Sequence, residues 1–165
     1  MTIHELLSEF SIKIYEPPLS EMRDDNRIRD LTNPISVVML IVDFETEVMM
    51  SGIINFIGNS TGAFANETVL ALKAIGCDVQ ASLLQKILDI AAAAGMTHEA
   101  IQKERSGVVG YAVTSFTQTH GDKWNDATSL IFDLYSEVDY SDMLDQAMKF
   151  MEKRFDIFRI AVQTV

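Results

Sequence analysis

The segment TNPISVVMLIVDFETEVMMSG, residues 32–52, constrains the fold of this chain most strongly. Its density of β-branched and apolar residues would suit a buried strand as well as a helix. Two features favour the helix: Thr32 or Asn33 can cap a helix start, and Pro34 suits the first helical position, where a missing N–H costs nothing. Gly52 then predicts a break, because glycine weakens a helix interior. The segment therefore predicts one long apolar helix followed by a shorter one.

The remaining chain shows the same helical spacing of apolar residues. In NETVLALKAIG, Asn66 is the predicted N-cap and Gly76 lies beyond the helix, and Gly95 closes the helix that follows. Two amphipathic helices are predicted in DKWNDATSLIFDLYSEV and DMLDQAMKFMEKRFDIF. Residues 106–121 have the composition of a strand but no partner strand, so we predict helix or loop there. The prediction is all-α: a single-domain bundle of roughly seven or eight helices over residues 1–165.

Cysteine content and hydropathy bear on the cellular location of the protein. Cys77 is the single cysteine and cannot form an internal disulfide, and the opening MTIHELLSEF lacks the basic start and apolar run of a secretory signal. The longest wholly apolar run, Val37–Val42, is far shorter than the ~20 residues needed to cross a bilayer. We expect a cytoplasmic protein that does not enter a membrane.

The formal net charge of −11 is concentrated in particular intervals of the chain. A field of this sign repels phosphate backbones, so direct binding of nucleic acid is disfavoured. In residues 122–145 a series of acids is accompanied by one base, Lys123. Residues 30–72 contain no base and include Asp43 and Glu47. This placement suggests a functional use of the charge beyond solubility.

Four of the clustered acids share one face of a predicted helix. At 100° per residue they fall within about 60° of one another, and they are Asp122, Asp126, Asp133 and Glu137. Such a line is either an ordinary solvated helix face or a substitute for DNA phosphates. One DNA strand carries a phosphate every ~3.4 Å of helix axis. Four carboxylates spread over about 22 Å are therefore fewer than the phosphates that one strand carries over the same length. A two-fold dimer would supply a second set.

The run GNSTG, residues 58–62, has the composition of a phosphate-binding or nucleophile loop. However, it lacks the lysine of a P-loop, and Ser60 does not stand in a Gly-x-Ser-x-Gly motif. None of the three histidines belongs to a metal-spaced pair, so no metal and no cofactor are predicted. An enzyme or small-molecule binder that uses Asn59 and Ser60, with His98 or His120 as base, is kept as an alternative.

The same loop can serve as a structural hinge between two helices. Glycine accepts conformations that other residues resist, and Asn and Ser side chains bond to local backbone groups. The residues assigned to this structural motif are Gly52, Asn59, Ser60, Gly62 and Asn66. We therefore look for function elsewhere in the chain.

Motif residues span the end of the long helix, the GNSTG run and the next helix. They are Glu47, Val48, Gly52, Phe56, Asn59, Ser60, Gly62, Ala71, Leu72, Ile75 and Gly76. On these residues the segment 31–84 resembles a bacterial family of unknown function, the DMP type, whose described representative is an acidic DNA-mimic protein. In that family the run is Glu-Val-Asn-Asn-Gly-Gly-Phe, then an aromatic pair, Asn-Ser-x-Gly and a helix ending Ala-Leu-x-x-Ile-Gly. Here Met49-Met50-Ser51 replaces Asn-Asn-Gly, and Ile53 replaces the first phenylalanine.

The resemblance implies an all-helical homodimer that offers carboxylates in place of phosphates. The leading hypothesis is a non-enzymatic acidic interaction protein, a DNA mimic whose partner is a basic DNA-binding protein such as a transcriptional regulator. The predicted partner-binding residues are Asp122, Asp126, Asp133 and Glu137, with Asp43 and Glu47 as weaker candidates. The alternative hypothesis with the same charge is an immunity-type protein that neutralises a basic toxin.

Overall fold

The computed structural model describes residues 1–107 and 122–164. These residues form one helical domain and contain no β-strand, which confirms the all-α prediction. The ten α-helices of the described residues are α1 (Ile3–Lys13), α2 (Glu21–Asp24), α3 (Pro34–Ser51), α4 (Ile53–Gly58), α5 (Ala65–Ala74), α6 (Asp78–Ala94), α7 (His98–Gly107), α8 (Asp122–Ser136), α9 (Met143–Glu152) and α10 (Phe155–Gln163). The number exceeds seven or eight partly because the predicted last helix is divided in two, before Phe155.

Helix α3 is the centre of the fold. Residues 36–44 are all buried, as expected for a helix that is apolar on every side. The start follows the prediction, since Pro34 is the first residue and Asn33 Oδ1 accepts a hydrogen bond from the Ile35 N–H at 3.0 Å. Gly52, with φ of +83°, ends α3 and begins α4. Glycine tolerates this conformation because it has no Cβ.

The other helices pack around α3 in two groups. In the first group α4 and α5 contact α3, α6 covers α5, and α8 covers α6. In the second group α9 contacts α3, and α1 packs against both α9 and α10. Phe10 of α1 and Phe158 of α10 meet edge to face with ring centroids 5.3 Å apart. Helix α8 is therefore held mainly through α6, with a smaller contact to α4.

The start of α5 differs from the prediction. Residues Ser60–Phe64 form a 3₁₀ helix that leads directly into α5 at Ala65. Phe64 occupies the N-cap position without a side-chain cap, and Asn66 lies exposed within the first turn. The prediction of Asn66 as the N-cap is therefore wrong, because helical geometry begins before it. The predicted ends are confirmed: Gly76 and Gly95 follow α5 and α6 with φ of +88° and +79°.

The interval with strand-like composition is only partly described. Helix α7 ends at Gly107, and residues 108–121, which include His120, lie outside the described residues. Within the described ranges no helix combines the length and the apolar character that crossing a membrane requires.

Candidate partner-binding surface

Helix α8 has an apolar face and an acidic face. Trp124, Ala127 and Ile131 are buried on the side that packs against α6. The indole Nε1–H of Trp124 donates to the Ala94 carbonyl oxygen at 3.0 Å, which fixes the rotation of α8 against the end of α6. Helical geometry then directs the opposite face to solvent. That face carries three exposed carboxylates: Asp122, Asp126 and Asp133.

Glu137, the fourth acid predicted for this face, lies beyond the helix. Helix α8 ends at Ser136, and the Glu137 N–H donates to the Leu134 carbonyl oxygen at 3.2 Å in a turn. Its side chain is exposed, but the turn rather than helical periodicity sets its position. The helical part of the acidic line is therefore about 16 Å long, from the ~1.5 Å rise per residue, instead of about 22 Å.

The acids of this line have no counter-ion among residues 1–107 and 122–164. Within those ranges the carboxylates of Asp122, Asp126, Asp133 and Glu137 make no ion pair and no hydrogen bond, and Asp133 accepts one only at its backbone carbonyl oxygen, from Ser136 Oγ at 2.7 Å. Some other surface acids are paired, Asp25 with Arg27 at 2.6 Å and Asp156 with Arg159 at 3.1 Å, whereas Glu21 and Glu152 also lack an ion pair among the described residues. The charge of the line is thus presented to solvent.

A groove of about 540 Å³ continues the acidic line beside Glu137. It lies between the start of α6 and the segment that joins α8 to α9, and its described lining contains no base. Gln80 Nε2 joins the two sides by donating to the Asp139 carbonyl oxygen at 2.9 Å and to Asp142 Oδ1 at 3.2 Å. The Ser141 N–H donates to Asp139 Oδ1 at 2.8 Å and lowers the pKa of that carboxyl. The carboxylates of the groove are Asp78, Glu137, Asp139 and Asp142.

We call the acids of α8 and of this groove together the acidic surface; its members are Asp122, Asp126, Asp133, Glu137, Asp78, Asp139 and Asp142. Asp78 was not among the predicted partner-binding residues. From the sequence alone, Asp78 is an acid in the first turn of α6, where a negative charge stabilises the helix. The packing of α6 against α8 brings Asp78 near Glu137. The spacing of the two residues in the sequence does not predict this proximity.

Asp43 is removed from the predicted set, because its side chain is only 3% exposed. Arg23 holds it at two points, with Nη2 2.7 Å from Oδ1 and Nε 3.0 Å from Oδ2. The Tyr15 hydroxyl lies 3.3 Å from Oδ1. Burial raises the pKa of Asp43, and the hydrogen bonds and charge of Arg23 oppose that rise. Asp43 is an internal charge of α3 that no partner protein can reach in this structure.

Glu47 is half-buried and belongs to the contacts that hold the GNSTG loop. The Asn59 side-chain amide donates to Glu47 Oε2, and Ser51 Oγ donates to the same oxygen at 3.3 Å. The carboxylate thus joins the last turn of α3 to the loop that follows α4. Glu47 and Asn59 both belong to the motif on which the family resemblance rests. Their hydrogen bond gives these two motif residues a structural role.

The loop itself is shaped by close backbone contacts. A Cβ on Gly62 would lie 2.0 Å from the Ile57 carbonyl oxygen, so glycine is required where the 3₁₀ helix passes the end of α4. The Gly62 N–H donates to the Asn59 carbonyl oxygen at 2.9 Å. The Ser60 side chain is exposed and makes no hydrogen bond within the described part of the chain. These are the contacts of a hinge between helices.

The enzyme alternative requires a base near Asn59 and Ser60. His98 Nδ1 lies 3.0 Å from the Ile57 carbonyl oxygen, a contact that ties α7 to the end of α4. A cavity of about 270 Å³ adjoins His98, but among the described residues its lining includes neither Asn59 nor Ser60. His120 lies outside the described residues. The described residues also hold no group of three or more His, Cys, Asp or Glu that could bind a metal ion.

A family model described as "DMP19-like protein" matches residues 29–156. The matched region begins at the end of a short 3₁₀ helix, Arg27–Arg29, and extends through α3, the GNSTG loop and α8 to the start of α10. It therefore includes both the motif residues and the acidic surface. No curated protein and no solved structure gives a significant match to this chain.

Proposed function

Because this chain belongs to the DMP19-like protein family, we propose that it is a non-enzymatic DNA mimic that binds a basic DNA-binding protein, such as a transcriptional regulator. The observation that carries the proposal is the acidic face of α8. There Asp122, Asp126 and Asp133 are exposed and have no counter-ion among the described residues. Carboxylates in this state are free to take the place of DNA phosphates in a cationic binding cleft, in the cytoplasm where such regulators act.

The charge spacing argues for more than the α8 line alone. Along its length of about 16 Å, one DNA strand carries about five phosphates. The three carboxylates of the helix are fewer than these phosphates. The groove beside Glu137 adds further acids at the C-terminal end of α8. A homodimer with a two-fold axis would present the acidic surface twice, as DNA presents two strands. The proposal includes that dimer.

The non-enzymatic part of the proposal rests on the contacts of the loop residues. The Asn59 amide is engaged by Glu47, and His98 Nδ1 contacts a backbone carbonyl oxygen of α4. A nucleophile or acid–base site needs such groups aligned toward one reacting atom. Here they support the junction between α3, α4 and α7.

The proposal can be tested by competition with DNA. A panel of purified basic DNA-binding proteins is loaded with a fluorescein-labelled duplex, and this protein is titrated in while fluorescence anisotropy is followed. We expect displacement of DNA from at least one panel member, with an affinity that falls as salt rises. The variant Asp122→Lys/Asp126→Lys/Asp133→Lys should lose the displacement. Size-exclusion chromatography with light scattering tests the dimer independently.

A matched control separates the acidic surface from net charge. The variant Glu21→Lys/Asp24→Lys/Glu152→Lys changes the same number of charges at exposed acids away from α8. Mimicry predicts that this control still displaces DNA. If the control loses displacement as fully as the α8 variant, the effect is one of net charge, and if neither variant loses it, the acidic surface is not the binding site.

A further inference from the structure

A second concavity, with a volume of about 310 Å³, opens between the C-terminal half of α3 and the segment that joins α8 to α9. Its described lining includes Phe44, Glu45, Met49, Tyr135, Tyr140 and Met143. It shares none of these residues with the acidic groove on the other part of the same segment. We call it the aromatic cavity. Its volume is near the lower end of ligand sites, roughly 300–1,000 Å³.

The aromatic wall of this cavity is held in place by packing. The rings of Tyr135 and Tyr140 are stacked, with centroids 4.7 Å apart and an interplanar angle of 23°. Phe44 lies against Tyr140 at 6.3 Å, and Phe44 is itself fixed edge to face against buried Phe56 at 4.9 Å. The wall is therefore continuous with the core. A ligand would meet these rings already ordered, which lowers the entropic cost of binding.

The electrostatics of the cavity favour a cation. Glu45 is the only charged residue among the lining residues that the structure describes, and those residues include no base. Its carboxylate makes no hydrogen bond or ion pair with another described residue. The pKa of Tyr135 is raised, first by burial and second by the charge of Glu45. The negative potential of this carboxylate therefore extends to the tyrosine that lines the cavity. Aromatic ring faces are negative as well, and they attract ammonium groups.

We propose that the aromatic cavity binds a small organic cation, an amine with one aromatic ring or a short alkyl body. The apolar body would pack between the tyrosine rings and Met49, and the ammonium group would lie toward Glu45. A neutral ligand of the same shape lacks the second interaction, and an organic anion would meet both the carboxylate and the ring faces unfavourably. This site is independent of the DNA mimicry proposed above.

The test uses 2-phenylethylammonium as probe, with 2-phenylethanol as neutral and 3-phenylpropionate as anionic counterparts. Protein labelled with ¹³C at the methionine methyl groups is titrated and followed by NMR. Met49 and Met143 line the cavity, and Met22, in α2 outside its lining, serves as the remote reference. We expect saturable shifts at the two cavity methyls for the ammonium probe, binding about fivefold or more weaker for the alcohol, and none for the anion.

Variants assign the selectivity to particular groups. Glu45→Gln should reduce ammonium binding to the level of the alcohol, whereas Glu152→Gln, which removes an exposed acid outside the cavity lining, should leave it unchanged. Tyr140→Leu should weaken both the ammonium probe and the alcohol, with folding checked by circular dichroism. The proposal is overturned if the methyl shifts do not saturate, if the alcohol binds as tightly as the ammonium probe, or if Glu45→Gln binds the probe as tightly as Glu152→Gln does. None of these outcomes depends on whether a DNA-binding partner exists.

Discussion

Arg23 and Asp43 form a two-point ion pair inside the protein, with Arg23 Nη2 2.7 Å from Asp43 Oδ1 and Nε 3.0 Å from Oδ2. The side chains are 17% and 3% exposed. The same guanidinium donates through Nη1 to the Ile14 carbonyl oxygen at 2.6 Å. Arg23 thus joins α2 both to the end of α1 and to the central helix α3.

The first prediction concerns the loss of this pair. Arg23→Met keeps an unbranched side chain but leaves Asp43 buried without its counter-ion. Removal of one partner from a buried pair costs about 3–5 kcal/mol, so we expect the free energy of unfolding to fall by that order at neutral pH. Urea denaturation followed by Trp124 fluorescence measures it, since the sequence has a single tryptophan.

The loss should depend on pH in a defined direction. Burial already raises the pKa of Asp43, and loss of Arg23 removes the hydrogen bonds and charge that oppose the rise. A raised pKa in the folded state makes ionisation unfavourable to folding, so the variant's deficit should be full at neutral pH. It should shrink as pH falls through the folded-state pKa toward the ordinary carboxyl value of 3.8. Arg23→Met/Asp43→Asn should recover most of the loss at neutral pH, and a deficit that is independent of pH would contradict a charge effect.

The pair of Arg23 and Asp43 shows one prediction from the sequence that was wrong and the sequence feature that could have corrected it. Asp43 was predicted to be a partner-binding acid at the protein surface. Residues 36–44 are otherwise almost wholly apolar and are buried around the whole helix. A lone carboxylate in such a helix requires a cationic partner, because a buried unpaired charge is expensive. The need for a partner was readable from the sequence, but its identity as Arg23 follows only from the tertiary packing of α2.

Local signals predicted the helices and one half of the acidic surface. Capping chemistry gave the start of α3 at Pro34, and glycine gave the end of α6 at Gly95. Helical periodicity gave the acidic face of α8, because three acids share a face opposite buried Trp124. The groove could not be predicted, because Asp78 and Asp139 are brought together only by the contact of α6 with the segment after α8.

The second prediction tests the hinge. Gly62→Ala places a methyl group against the backbone carbonyl oxygen of Ile57, where the ideal Cβ position is only 2.0 Å away. Backbone cannot move aside as a flexible side chain would, so we expect destabilisation near the upper end of the ~1–3 kcal/mol typical of overpacking. Ser60→Ala, at an exposed neighbour in the same loop, should stay within about 0.5 kcal/mol of the parent. Equal urea midpoints for the two variants would mean that the loop does not pass α4 so closely.

The third prediction uses the cysteine beside the acidic groove. Cys77 is 3% exposed, and burial, with smaller effects from Asp142 and Asp78, raises the pKa of its thiol to about 11. Since the thiolate is the reactive form, alkylation by iodoacetamide at mildly basic pH should be slow in the folded protein and fast in urea. The folded-state rate should keep rising with pH until about 11. Rapid alkylation of the native protein would contradict the burial of Cys77 between Gly76 and Asp78, two residues of the groove lining.

The last prediction separates the acidic face of α8 from folding. Asp122→Asn/Asp126→Asn/Asp133→Asn removes charges that have no counter-ion among the described residues, and the apolar face against α6 is unchanged. Neutralisation relieves like-charge repulsion along one helix face, but it also removes the favourable acid Asp122 from the first turn of α8. The two effects are small and opposed, so the urea midpoint should stay close to that of the parent at physiological salt, where both are screened. Residues kept for stability would instead lower the midpoint clearly. If the variant were less stable, the carboxylates would be structural, and a loss of partner binding on charge reversal could not be assigned to DNA mimicry.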